Sequence, residues 1–219
     1  MAYPKAMAAV ASIASRERRT QAERSATTRW RLLDAAIECL HDLGYARTST
    51  PEIARRAGLS RGAQLHHFPT KAELVTSAIE RLFDRRREEF LRAFAARPEG
   101  SDPCEAAIDI LWSMVSGPTF YVWLELVVAA RTDPELKKPV QELTERLQGI
   151  VAATFRELFP EPAEPNPFYA VAPRFAFALL DGLAVERLNA RDTAAHDAVL
   201  QALKGLARMV MPPGAPTSG

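Results

Sequence analysis

Ser49-Thr50-Pro51-Glu52-Ile53-Ala54-Arg55-Arg56-Ala57-Gly58-Leu59-Ser60-Arg61-Gly62-Ala63-Gln64-Leu65-His66-His67-Phe68 is the stretch that decides how this chain is read. Ser49 is a natural N-cap, and Glu52 three residues later completes a capping box. Pro51 is tolerated in the first turn of a helix, so a short helix is expected from Pro51 to about Ala57. Gly58 ends it and allows the positive φ of a tight turn. Ser60 then caps a second short helix, from Arg61 to about Phe68. Ala54 is small where two helices would cross, and Ile53, Ala57 and Leu59 supply the buried side. Helix, glycine-centred turn and helix together have the form of a helix-turn-helix, whose second helix lies in the major groove of DNA.

Upstream, Leu33, Ala36, Ile37 and Leu40 share one face of an amphipathic helix from about Thr28 to Leu43, which Gly44 stops. Downstream, Pro69 breaks the second short helix, and Thr70 caps a long helix from Lys71 with Glu73 in its first turn. An apolar stripe from Leu74 through Ile79, Leu82 and Phe90 to Phe94 carries that helix toward Ala96, roughly 35–40 Å. It is long enough to join two domains. Further helices are expected over about 102–115, 119–132, 134–159, 173–189 and 194–211, punctuated by Gly117-Pro118, Asp133-Pro134 and the proline-rich 160–167 segment. No stretch alternates with period two.

The fold class is therefore all-α. Residues 25–72 form a three-helix DNA-binding domain, joined by the long helix to a helical C-terminal domain over 73–211. Residues 1–24 and 212–219 are expected to be disordered tails, the first basic and without the features of a signal peptide. No apolar run reaches the roughly 18 residues of a membrane span. Cys39 and Cys104 read as buried free thiols, and the cytoplasm is the default compartment.

Charge supports the same division. Up to Lys71 the chain has twelve basic and six acidic residues, a net +6, whereas the remainder carries −5. A basic first third is suited to a polyanion. On the second short helix, Arg61, Gly62, Ala63, His66 and His67 face outward, with Gly62 and Ala63 small enough to let the backbone approach DNA. The Ala63 methyl could meet a thymine methyl. Three helix starts lie close together, at Ser49/Thr50, Ser60/Arg61 and Thr70/Lys71, and free N–H groups at such starts attract phosphate. Each hydroxyl is alternatively no more than a cap.

The run Gly44-Tyr45, Thr48-Ser49-Thr50-Pro51-Glu52-Ile53-Ala54, Ala57-Gly58-Leu59-Ser60-Arg61-Gly62-Ala63 and His66-His67-Phe68-Pro69-Thr70-Lys71 with Leu74 resembles the N-terminal domain of the tetracycline-repressor (TetR) family of bacterial regulators, over roughly residues 28–80. The resemblance implies a homodimer with one reading head per subunit, an operator of double-stranded DNA, and a C-terminal domain that binds a small-molecule effector. It places Ser49, Thr50, Arg61, Gly62, Ala63, His66, His67 and Lys71 against DNA, to which the reading of the helix starts adds Ser60. Where the family often has Leu-Tyr, with the tyrosine on a phosphate, this chain has Gln64-Leu65. Leu65 would pack inward and leave Gln64 to point at a base such as adenine, or Gln64 is simply solvated. The arginines of the N-terminal tail add a DNA-contacting arm or remain a solvated tail.

The C-terminal part gives class rather than identity. Trp112, Met114, Phe120, Trp123, Phe155 and Phe177 are candidates to line an effector pocket, although such residues at helical spacing are commonly core. Glu125, between apolar neighbours, pairs with Arg131, Arg174 or Arg187 or holds a cationic ligand, and Asp181 beside Gly182 raises the same question. The resemblance puts the dimer interface on the last two helices; packing within one subunit is the other reading of their apolar residues. No HExxH, GxSxG, P-loop or GxGxxG motif is present in the sequence, so neither an enzyme, a metal nor a cofactor is expected. The alternatives kept are a constitutive DNA-binding regulator without an effector and, from another class, a helical enzyme.

Overall fold

The computed structural model describes residues 3–162, 165–190 and 193–211, with side chains from residue 21 onward. Among these residues every regular element is a helix: α1 (Tyr3–Arg47), α2 (Thr50–Arg56), α3 (Arg61–His67), α4 (Lys71–Ala95), α5 (Pro103–Val115), α6 (Pro118–Ala130), α7 (Pro134–Leu158), α8 (Ala172–Arg187) and α9 (Ala194–Val210). The chain divides into two compact units, Met1–Ile79 and Glu80–Gly219, so the boundary falls about two turns further into α4 than residue 72.

The first helix starts far earlier than the sequence reading put it. Residues set aside as a disordered tail are helical from Tyr3, in a segment rich in alanine, arginine and glutamate, all strong helix formers, with no glycine and with its proline in the first turn. The expected 212–219 tail lies outside the described residues. Gly44 breaks α1 at φ 71°, ψ 169°, and residues 45–47 add a last turn beyond it. Thr48, almost fully buried, ties back to that break by donating its hydroxyl to the Gly44 carbonyl at 2.8 Å.

The core of the first unit gathers Leu32, Leu33, Ala36 and Cys39 of α1, Ile53 and Ala57 from the α2 segment, Phe68 after α3, and Leu74 and Ala78 of α4, with Ile37 and Leu59 at its edge. Burial pushes the Cys39 thiol above its ordinary value. Cys104 is only half-buried rather than sealed in, and its thiol is still pushed up to about 11 by desolvation.

In the second unit, Ile108 and Val115 of α5, Phe120 of α6, Leu180, Leu183 and Ala184 of α8, and Leu200 and Leu203 of α9 form the core. The Tyr121 hydroxyl donates to the Ala184 carbonyl at 3.4 Å, joining α6 to α8. A second aromatic cluster packs Phe155 against Phe159 (5.2 Å) and Tyr169 (5.1 Å), while Phe94 meets Phe159 at 5.8 Å. Asp133 caps α7 with its carboxylate, as the Asp133-Pro134 pair suggests, and Asp102 caps α5 in the same way. No single described helix is long and apolar enough to cross a membrane; α5 and α6 reach that length only together, across a 68° bend.

Candidate nucleic-acid interface

The turn between α2 and α3 is set by a few atoms. Ser49 Oγ accepts from Glu52 N at 3.4 Å, Ser60 Oγ from Ala63 N at 3.2 Å, and Thr70 Oγ1 from Glu73 N at 3.1 Å, so all three hydroxyls are caps. Each hydroxyl hydrogen is still available to an outside acceptor. Gly58 has φ +63°, and a Cβ there would sit 2.9 Å from Arg31 Nη2. That guanidinium nitrogen donates to the Ala57 carbonyl at 2.5 Å. Arg31, on α1, therefore clamps the turn from behind. Sequence patterning missed it, because nothing local ties residue 31 to residue 57.

Glu52 completes only half of the expected capping box. Its carboxylate turns forward to Arg55 (2.7 Å) and Arg56 (3.0 Å), and Arg56 reaches Asp42 of α1 at 2.6 Å. Hydrogen bonds from the two arginines hold the Glu52 carboxyl down at about 2. Arginines three and four residues after a glutamate were the sequence signal for this.

Around α3 the inward and outward faces separate cleanly. Arg61, Gly62, Leu65 and His66 are exposed, Ala63 and His67 half-buried, Gln64 and Phe68 buried. Arg61 has no hydrogen bond or ion pair with any described residue. A Cβ on Gly62 would meet only Ser60 Oγ at 3.8 Å, so the protein's own packing does not require glycine there. The reading of Gln64-Leu65 is reversed. Gln64 is fully buried, with Nε2 donating to the Phe68 carbonyl at 2.6 Å, and cannot reach a base; Leu65 is 46 % exposed. The 100° step of the helix decides this: the position that shares a face with Phe68 is 64, not 65.

His66 and His67 meet edge-on at 5.3 Å. His67 is held below its ordinary value, first by burial and then by the charges of His66 and Arg29, which favours the neutral ring. Arg29 stacks over Phe68 at 4.4 Å. Lys71, expected at a phosphate, has a structural role as well: Nζ donates to the Tyr45 carbonyl at 2.8 Å and lies 3.8 Å from the Tyr45 ring. At least one of its three N–H groups is thereby used. Thr50 is half-buried beside its cap.

Candidates of the second unit are distributed over several of its helices. Trp112 lies at the edge of the core with Arg187 5.8 Å above its ring, and Phe120 is in that core. Trp123 meets Phe83 edge-on at 5.6 Å, and Phe155 belongs to the separate aromatic cluster. Met114 and Phe177 are half-buried. Glu125 is exposed on α6 rather than enclosed by apolar neighbours, and Val127 and Val128 beside it are exposed too. Arg174 bonds Gln148 at 3.0 Å. Asp181 is half-buried with no partner among the described residues, and burial lifts its carboxyl to about 6. An open groove of about 520 Å³ between the end of α4 and α5 is lined by Ala93, Arg97, Asp102, Glu105, Asp109 and Ile110, none of them a candidate.

The apolar residues of the last two helices divide in a way the sequence pattern could not show. Leu180, Leu183, Ala184, Leu200 and Leu203 are spent on the unit's own core. The outward stripe on α8 is instead Phe175, Ala178, Gly182 and Val185, continuing from Val171, and on α9 it is Ala198, Ala202 and Met209.

Comparison with known proteins decides the family. Residues 32–78 match the bacterial regulatory proteins of the tetR family, and residues 113–211 match the BetI-type transcriptional repressor C-terminal domain. This chain belongs to the TetR family. It is 33 % identical over 169 residues to an uncharacterised HTH-type transcriptional regulator of Mycobacterium tuberculosis, covering 77 % of this chain and 87 % of that protein. Among solved structures, a transcriptional regulator of Streptomyces coelicolor superposes with a TM-score of 0.62 at 24 % identity, over 84 % of this chain and 98 % of that one. The multidrug binding protein EbrR, solved with imidazole, superposes with a TM-score of 0.54 at 25 % identity, over 80 % and 93 %. As a TetR-family protein with an intact helix-turn-helix, this chain is a DNA-binding transcriptional regulator.

Proposed function

We propose that this TetR-family regulator is a homodimeric, effector-responsive repressor that acts in the cytoplasm on a two-fold symmetric operator. The observation that carries the DNA half is the outward face of α3. Arg61, Gly62 and His66 lie there, with Ser49, Thr50, Ser60 and Ala63 at its border and the whole turn clamped from behind by Arg31. A guanidinium without an internal partner suits guanine O6 and N7, the commonest specific contact in the major groove. Lys71 and His67 stand at the phosphate side.

Dimerisation is supported by the α8 and α9 stripes. Small residues at 178, 182, 198 and 202 allow close helix crossing, and Phe175, Val185 and Met209 are exposed apolar groups in need of cover. The effector half is supported by the BetI-type C-terminal match and by the imidazole held in EbrR. Within this chain Asp181 is the group best suited to a nitrogen cation, because a half-buried carboxylate without a partner gains most from one.

Selection of bound sequences from a random DNA library with the full chain tests the reading. A two-fold symmetric site, bound at the mass of two chains in light scattering, is expected. No enrichment at low salt from folded protein would overturn it. Binding that no ligand releases would leave the constitutive regulator as the better description.

A further inference from the structure

Leu65 sits where its chemistry is least expected. The outward face of α3 consists of positions 61, 62, 65 and 66, and three of them are an arginine, a glycine and a histidine. The fourth is a leucine left 46 % exposed; the other large hydrophobic exposed in this unit, among the described residues, is Trp30 of α1. Its setting is not a matter of side-chain freedom. Gln64, one position earlier, is locked inward by the 2.6 Å bond from Nε2 to the Phe68 carbonyl, and Phe68 itself is fully buried. Turning α3 to hide Leu65 would pull that amide out and break its bond. The polar side chain of the pair is thus fixed inside, and the aliphatic one is fixed outside.

A leucine where the family often has a phosphate-bound tyrosine can hydrogen-bond neither a phosphate nor the polar edges of the bases. In the major groove the apolar group available to it is the C5-methyl of thymine. We infer that Leu65 is a specificity-determining residue of this regulator, which packs on the C5-methyl of one thymine in each operator half-site. Cytosine, and a thymine stripped of its methyl, are rejected at that position because they leave the leucine uncovered. The inference rests on the DNA-reading proposal above and deepens it.

The test uses the full chain and the operator recovered by selection. Each thymine of a half-site is replaced in turn by deoxyuridine, which deletes the methyl and keeps every hydrogen-bonding group. At one thymine the affinity should fall about fourfold, the equivalent of one buried methyl, and about fifteenfold when both half-sites are changed. The Leu65→Ala protein, shown to be folded by circular dichroism, should bind the thymine and uracil operators alike. Indifference of the unaltered protein to uracil at every position overturns the inference while leaving the DNA-reading proposal intact. So does a methyl dependence that survives in Leu65→Ala, which would hand the contact to Ala63. If selection yields no bound sequence, both fall together.

Discussion

The two units of this chain are both helical, yet their ties are distributed differently. In the first, the α2–α3 turn hangs on few atoms: Ser49, Ser60 and Thr70 each cap within three residues of themselves, and the Arg31 guanidinium holds the Ala57 carbonyl beside Gly58 from 26 positions away. In the second, the ties join residues far apart in sequence. Arg87 of α4 donates to Thr154 Oγ1 at 2.9 Å and reaches Glu157 of α7 at 3.2 Å, Lys204 of α9 meets Asp109 of α5 at 2.6 Å, and the Asn166 amide donates to the Val210 carbonyl at 2.5 Å. A local device concentrates its effect on few atoms. A dispersed one spreads it over many helix contacts. The first unit should therefore fail at single positions where the second gives way only by degrees.

The sharpest way to break this comparison is Gly58→Ala. An alanine at φ +63° costs about 1–2 kcal/mol in backbone energy. Its Cβ would also displace the Arg31 guanidinium from the Ala57 carbonyl, a charged hydrogen bond worth about 1.5–3 kcal/mol. Because the flexible guanidinium can shift and keep part of that bond, we expect a loss of about 2–4 kcal/mol rather than the full sum in urea unfolding monitored in the first unit, and operator affinity lowered by at least tenfold. A mutant as stable and as tight-binding as the parent would show that the turn tolerates a side chain and that the Arg31 clamp does not matter.

Legibility followed the same division. Caps, glycines and prolines predicted the described helices to within a few residues, the start of α1 excepted, and the α2–α3 turn could be placed from twenty residues alone. What patterning could not supply was anything requiring a third dimension. Arg31 reaches Ala57 across 26 positions. The rotational setting of α3, which decided between Gln64 and Leu65, depends on the placement of Phe68 in the core. On α8 the apolar content was visible, but which residues face the unit's own interior and which face out was not. Glu125 looked enclosed because its sequence neighbours are apolar, whereas in a helix the neighbours that enclose a side chain are three and four positions away. The start of α1 was missed because a charged, alanine-rich stretch without an apolar stripe in its sequence reads as tail, although its intrinsic propensity is helical.

Asp181→Asn is the second test and works on the other unit, with the opposite sign. The folded-state value of about 6 lies above the ordinary carboxylate value of 3.8, so the folded chain keeps its proton over a window in which the unfolded chain has lost it. For this group, stability is highest below about pH 4, falls between about pH 4 and 6, and the cost is fully present above that. Asparagine removes the charge. After allowance for the carboxylate's partial access to solvent, the mutant should be more stable than the parent at pH 7.5 by about 1–2 kcal/mol, with no advantage at pH 4. Equal stability at both values would mean that the carboxylate is well solvated or already compensated. The same mutant should lose response to a cationic effector while its operator affinity without ligand stays unchanged.

The smallest effect is expected where the second unit is most dispersed. Arg208 of α9 pairs with Glu105 of α5 at 2.6 Å, and the arginine side chain is 57 % exposed. An exposed pair gains little Coulomb energy in water and gives up side-chain freedom to hold its geometry, so its net worth is about 0–1 kcal/mol. The same two helices are held by Leu200 and Leu203 packing on Ile108, and by the Lys204–Asp109 pair one turn earlier, where the lysine side chain is only 11 % exposed. Arg208→Ala should therefore shift stability by less than about 0.5 kcal/mol in 150 mM salt. A loss as large as that of Gly58→Ala would mean that α5 and α9 hang on this single pair. The second unit would then be as concentrated in its design as the first, and the contrast between the two would disappear.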